Sequence, residues 1–106
     1  MTSKSRAIDV RLKTIERALL NAEARRSWAL GREEAGEAGA SATVLAIHER
    51  IRELVDQATR IRPVSLIGLA AKARIAGRHH DLVSAGRAVF RSLVEDLHAL
   101  EPLRRR

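Results

Sequence analysis

Apolar residues recur along this chain every three or four positions, and no segment alternates apolar and polar residues with a period of two. Such spacing places apolar side chains on one face of a helix. The first stripe consists of Ile8, Leu12, Ile15, Leu19 and Ala22. It predicts a helix over residues 5–29. A second stripe near the end of this segment, formed by Leu20, Ala24 and Trp28, predicts contacts with two partners there.

The second segment carries the most regular stripe of the chain: Val44, Ile47, Ile51, Leu54, Ala58 and Ile61. Steps of three and four residues alternate in it, which is the spacing of helices that pack in the manner of coiled coils. Ser41 or Thr43 can cap the start of this helix. Pro63 ends it, because the residue before a proline is pushed out of the helical conformation. The pattern predicts a helix over residues 42–61.

A third helix is predicted over residues 65–77, with Ser65 as its capping residue. It is lined by small residues, namely Gly68, Ala70, Ala71, Ala73, Ala76 and Gly77. The distance between packed helices depends on the side chains at their contact, so small residues allow a close approach. We expect this helix either to be held between neighbours in one chain or to be buried in a dimer.

The fourth helix is predicted over residues 82–100, before a basic tail at 103–106. Its apolar set is broad and predicts packing on more than one neighbour: Leu82, Val83, Val89, Phe90, Leu93, Val94, Leu97 and Leu100. The sequence His79-His80-Asp81 before it predicts a polar turn, unless the third and fourth helices merge into one. Pro102, after Glu101, is expected to end the helix.

The first two helices are separated by a segment with three glycines, at positions 31, 36 and 39, among charged residues. Each glycine costs a helix about 1 kcal/mol relative to alanine, which predicts a mobile connection over residues 31–40. A helix that frays through Glu33 and Glu34 is the alternative. A length of 106 residues fits one domain. The fold class is therefore all-α: a single small bundle over residues 1–106, with three to four helices and heptad-like packing.

No arrangement of residues that carries chemistry stands out. The chain has no cysteine, no phosphate-binding glycine loop and no nucleophile–base pair recognisable by spacing. Glu95 and His98 form one Glu-x-x-His, whereas di-iron bundles use two such motifs. His79 and His80 are adjacent and would point about 100° apart on a helix. We predict no catalytic residue, no metal and no cofactor, and therefore no enzyme.

The net charge of +7 attracts polyanions in general and supports an alternative function, nucleic-acid binding by an accessory protein. Its candidate anion-binding residues are Lys72, Arg74, Arg78, Arg87 and Arg91. Against this alternative, Trp28 and Phe90 are the only aromatic residues, so no stacking platform is predicted. No apolar run reaches the length of a membrane span, and the N-terminal residues lack the apolar core of a secretory signal. We expect a cytoplasmic protein that does not bind membranes.

The helical patterns favour a non-enzymatic protein–protein interaction module. Regular heptad stripes associate readily between chains, so the expected partner is a second copy or another helical protein. The candidate residues for close helix contacts are Trp28, Gly68, Ala71 and Phe90.

The run from Pro63 to Arg74, Pro-Val-Ser-Leu-Ile-Gly-Leu-Ala-Ala-Lys-Ala-Arg, resembles a motif of small, uncharacterised all-helical bacterial proteins, some of them phage-associated. Their pattern has a small residue after the proline, where this chain has Val64. A later helix of that group resembles the run from Ser92 to Leu97, Ser-Leu-Val-Glu-Asp-Leu. The resemblance implies a helical protein and carries no activity with it.

Overall fold

The computed structural model describes residues 3–79 and 85–104, and within them the chain forms helices and no strand. The helices are α1 (Ser3–Glu34), α2 (Ala40–Arg60), α3 (Leu66–His79) and α4 (Ala85–Arg104). The predicted fold class, a small all-α bundle, is confirmed. None of these helices contains an apolar stretch of the length that a bilayer crossing requires.

The heptad stripes of the first two helices form the core. All six apolar residues of the α2 stripe are buried, and in the α1 stripe only Ile8 is partly exposed. The two stripes face each other because α1 and α2 form an antiparallel hairpin through the short connection at residues 35–39. Val55 of α2 and Val89 of α4 complete this core with fully buried side chains.

Side-chain contacts show how the other two helices run. Asp9 of α1 contacts Ser65, just before α3, and Glu16 and Glu23 contact Arg74 and Arg78 within α3, so α1 and α3 are parallel. Ser92 of α4 contacts Thr59, and Asp96 lies near Arg62, so α4 follows the direction of α2. Helix α4 packs on α2 and α3 and makes no contact with α1 among the described residues.

The hairpin of α1 and α2 is longer than the two helices that cover it. Ala85 precedes Ser92 by seven residues, about 10 Å of helix, whereas Ala40 precedes Thr59 by nineteen residues, about 28 Å. We call residues 28–45 the hairpin tip, and residues 8–23, 51–79 and 85–98 the four-helix end. The Cα radius of gyration is 16.1 Å and the longest dimension 58 Å. A compact domain of this length has a radius of gyration of about 13 Å.

Several helix boundaries differ from those predicted. Helix α1 continues through Gly31 to Glu34, beyond its predicted end at residue 29, and leaves a connection of only five residues in place of the predicted 31–40. Helix α2 begins at Ala40 after Gly39, whose positive φ of 81° ends the turn. Neither Ser41 nor Thr43 caps α2, because both lie inside its first turn. Helix α4 passes Pro102 and is described to Arg104.

Candidate functional site

Among the described residues, the polar group with the most hydrogen bonds lies where the end of α2 meets α3 and α4. The Lys72 side chain is fully buried, and its Nζ donates hydrogen bonds to the Ile61 carbonyl and to Ser92 Oγ, both at 2.7 Å. The same Nζ lies 2.6 Å from Oδ2 of the buried Asp96. The Thr59 carbonyl accepts from Ser92 Oγ at 2.9 Å and from Lys72 Nζ at 3.4 Å. We call these five residues the Lys72 cluster.

The Lys72 cluster supplies hydrogen-bond donors and a positive charge to the carbonyl groups at the end of α2. The last carbonyls of a helix have no partner within the helix and carry the negative end of its dipole. Lys72 brings a positive charge and hydrogen-bond donors to two of these positions, Thr59 and Ile61. Ser92 adds a further donor from α4. The lysine therefore joins three helices at one point.

The contact between Lys72 and Ser92 resembles the lysine–serine pair of some hydrolases, in which a neutral lysine accepts the serine proton. Here the direction is the opposite: Lys72 donates to Ser92, and Ser92 donates to the Thr59 carbonyl. Asp96 Oδ2 is the ion-pair partner of the Lys72 Nζ at 2.6 Å. The contact with Asp96 is an ion pair without a well-directed hydrogen bond, since Asp96 Oδ2 accepts none. This geometry fits a structural cation rather than a general base.

The sequence analysis placed Lys72 among the anion-binding candidates and did not foresee the cluster. A signal for it was present in the spacing. Lys72 is three residues after Leu69 and four before Ala76, and Asp96 is seven residues after Val89. Each charge thus lies on the apolar stripe of its helix, where a buried charge requires a partner of opposite sign.

A second close contact joins the start of α3 to α1. Ser65 caps α3 as predicted, because its Oγ accepts the Gly68 backbone N–H at 3.2 Å. Ser65 Oγ donates in turn to Oδ1 of the buried Asp9 at 2.7 Å. A Cβ atom at Gly68 would lie 2.6 Å from that Asp9 oxygen and 3.3 Å from Leu12 Cδ1. Gly68 is therefore a place of close helix approach, and Ala71, one turn later, is fully buried.

Two further anion-binding candidates, Arg74 and Arg78, form ion pairs within the chain. Arg74 forms hydrogen bonds with Glu16, at 2.5 and 2.9 Å, and Arg78 forms an ion pair with Glu23. The hydrogen bonds from Arg74 hold the pKa of the Glu16 carboxyl below its ordinary value. That stabilisation is present at neutral pH and is lost when acid protonates Glu16. Arg87 and Arg91 are exposed on α4.

The two histidine candidates that the structure describes, His79 and His98, lie on different helices. His79 was predicted in a polar turn, but it is buried in the last turn of α3, with Nε2 3.1 Å from Glu23 Oε1. His80 and Asp81 lie outside the described residues. Glu95 and His98 are exposed on α4. In the described part of the chain, no three potential metal-ligating side chains come together.

The two aromatic candidates are not brought together with Gly68 and Ala71. The Trp28 side chain, in the hairpin tip, is 61% exposed, and the Arg32 guanidinium lies 4.2 Å from its ring centre. A cavity of about 250 Å³ opens beside it, and the Arg32–Glu37 ion pair forms part of its wall. Phe90 is 56% exposed on α4.

Phe90 belongs to a partly exposed apolar row on α4. Val94 and Leu97 follow it at steps of four and three residues, and their side chains are 39% and 46% exposed. We call these three residues the α4 stripe. The other part of the broad apolar face, Val89 and Leu93, packs on the core. Of the five described members of the face that was predicted to contact several neighbours, two therefore pack on the core and three are exposed.

The chain matches no protein-family model, and the searches of curated proteins and solved structures found no match. The resemblance to small all-helical bacterial proteins stays a prediction.

Proposed function

We propose that this protein is a non-enzymatic, cytoplasmic helical interaction module that associates with itself. The observation that carries the proposal is the exposed α4 stripe. Phe90, Val94 and Leu97 continue a heptad pattern whose other members, Val89 and Leu93, already pack against a helix. Fully burying one side chain of this kind yields about 1.5–3 kcal/mol, so covering the rest of the stripe is favourable.

The Lys72 cluster supports the non-enzymatic part of the proposal. Its serine and its lysine donate to acceptors that belong to the fold, which leaves neither group arranged for proton abstraction from a substrate. The cluster holds helices together and explains, without catalysis, why a lysine is buried.

Nucleic-acid binding is the second candidate, because the chain is strongly basic. Lys72 is buried, and Arg74 and Arg78 each pair with a glutamate of α1. Of the five predicted anion-binding residues, Arg87 and Arg91 remain exposed without an ion pair in the described residues. We therefore rank self-association first.

Sedimentation velocity across a wide range of protein concentrations tests the proposal. We expect the wild-type protein to form a dimer at high concentration, and a Phe90→Ser, Leu97→Ser double variant to stay monomeric. Leu66→Ser is the matched control, because Leu66 is 72% exposed and lies outside the stripe. It should associate as the wild type does.

A wild-type protein that stays monomeric at every concentration would refute self-association. In that case, titration with duplex DNA at two salt concentrations tests the second candidate, for which affinity should fall steeply as salt rises.

A further inference from the structure

We infer that the side of α1 that points away from α2 and α3 binds the phosphate backbone of double-stranded DNA. Five exposed cations lie on this side: Arg6, Arg11, Lys13, Arg17 and Arg25. We call these five residues the α1 basic face. None of them is among the anion-binding residues predicted from the sequence. Helix α4, which carries the proposed self-association, makes no contact with α1 in the described residues, so the inference does not depend on that proposal.

The acidic residues of α1 before the hairpin tip all point towards α3. Asp9, Glu16 and Glu23 are seven residues apart and therefore share one side of the helix. Their partners lie directly before or within α3: Ser65, Arg74 and Arg78, respectively. Residues 3–27 contain no other acidic residue, so the α1 basic face carries no negative charge of its own.

The cations of the α1 basic face have no ion-pair partner among the described residues. Steps of 100° per residue from Arg17 place Lys13 on the α3 side of the face, and Arg11 and Arg25 on the α2 side. Lys13 and Arg17 are one turn apart, a spacing at which like charges repel. Several arginines elsewhere are paired within the chain: Arg32, Arg50, Arg60, Arg74 and Arg78. An external anion would supply the missing negative charge.

The length of the face suits an extended polyanion. From Arg6 to Arg25 there are nineteen residues, which correspond to about 28 Å of helix. Double-stranded DNA carries one negative charge per ~1.7 Å of its axis, so phosphates are within reach along the whole face. Cations on both sides of the face can contact phosphates of both strands.

The shape of α1 favours double-stranded DNA over other nucleic acids. A helix with its side chains is about 10–12 Å across, and the major groove of B-DNA is about 12 Å wide. The major groove of double-stranded RNA is too narrow for side chains to enter. Single strands bind through aromatic residues on which the bases stack, and residues 3–27 contain no aromatic residue.

The same face is poorly suited to an anionic lipid surface. A helix that lies on a membrane has a continuous apolar side that enters the lipid. Here the exposed apolar residues Val10 and Leu20 are separated around the helix by Arg17. Lipid binding would require that charge to be buried among acyl chains.

Fluorescence anisotropy with a labelled DNA duplex of about 20 base pairs tests the inference on the full chain. Five phosphate contacts predict a slope of about −4.5 in a plot of log affinity against log salt concentration. Affinity should therefore fall roughly 500-fold between about 50 and 200 mM salt. The absence of binding at the lower salt concentration would overturn the inference.

Matched substitutions test which charges bind. Arg17→Gln should flatten the salt slope by about 0.9, and the double variant Lys13→Gln, Arg17→Gln by about 1.8. Arg52→Gln is the control: it removes the same charge from an exposed position on α2 and should leave the slope unchanged. Circular dichroism checks that each variant is folded. Equal effects of Arg17→Gln and Arg52→Gln would show that only net charge matters and would overturn the inference.

Three further outcomes would count against the α1 basic face. A change of slope seen only in the double variant Arg87→Gln, Arg91→Gln would place the contact on α4. Equal affinity for an RNA duplex of the same length would overturn the fit to the major groove. Binding to phosphatidylserine vesicles, without binding to DNA, would identify a lipid surface as the partner.

Sedimentation velocity without DNA separates this inference from the proposed function. A dimer that does not bind DNA overturns the DNA contact and leaves self-association in place. A monomer that binds DNA with the predicted slope refutes self-association and supports the α1 basic face.

Discussion

The four-helix end and the hairpin tip are built from the same two long helices but are held together differently. At the four-helix end, large aliphatic side chains and the Lys72 cluster fill the space between α1, α2, α3 and α4. At the tip, only α1 and α2 meet in the described residues, and the side chains between them are small: Ala29, Ala40 and Val44. Trp28, Leu30 and Leu45 remain exposed there.

The difference shows that a regular apolar stripe does not by itself produce uniform stability. Stability follows the number of helices that cover a stripe, because burial on several sides removes more apolar surface from water. We expect the tip to open locally at a smaller free-energy cost than the four-helix end.

The largest effect should come from breaking the buried ion pair. Asp96→Ala leaves the Lys72 charge without its counterion and should lower the free energy of unfolding by about 3–5 kcal/mol. Urea denaturation followed by circular dichroism measures this value. The adjacent Glu95→Ala is the control, and its effect should remain within about 0.5 kcal/mol, since Glu95 is exposed.

The combined Lys72→Met, Asp96→Leu variant sharpens this test. Removing both charges should restore much of the stability, because an apolar pair can replace a buried ion pair at little cost. Equal losses for Asp96→Ala and Glu95→Ala would mean that the cluster does not hold the four-helix end.

A smaller effect is expected from filling the close approach at Gly68. Gly68→Ala places a methyl group against Asp9 and Leu12 and should cost about 1–3 kcal/mol. Gly77→Ala, in the same helix, meets no atom within 4 Å and should stabilise the protein by about 0.5–1 kcal/mol. Thermal unfolding of the two variants compares them, and shifts of the same sign would contradict the proposed contact.

The smallest effect on global stability should come from the tip. Gly39→Ala forces a side chain into a positive φ, which costs about 1–2 kcal/mol, while its Cβ would meet no neighbour. If the tip opens separately, amide hydrogen exchange should accelerate at residues 40–45 and change little around Lys72. Gly31→Ala, inside α1, is the control and should slow exchange nearby. Equal acceleration throughout the chain would show that the tip and the four-helix end unfold as one unit.

The sequence predicted the helices because apolar spacing and Pro63 are local signals. The stripes of α1 and α2, the cap at Ser65 and the close approach at Gly68 could all be inferred in this way. The boundary at Gly31 was harder, because the cost of one glycine is small beside the gain from extending a packed helix. The prediction for Trp28 had a different outcome. The second stripe of α1 was expected to add a second contact there, and it has no partner within the described chain.

The Lys72 cluster was not predicted because its contacts join residues from three helices. A lysine at position 72 is an ordinary basic residue until α4 brings Ser92 and Asp96 next to it. From the sequence, the charge of Lys72 was taken to be available for anion binding. Only the tertiary structure shows that this charge is paired with Asp96 inside the protein.

The Lys72 contacts also bear on the order in which the fold can be completed during synthesis. The last carbonyls of α2 receive their donors from residues that the ribosome adds eleven to thirty-three positions later. A nascent chain that ends before α4 therefore holds a lysine without its carboxylate and a helix terminus without its serine. The contacts at the end of α2 can therefore be completed only after α4 has been synthesised. The same helix carries the α4 stripe.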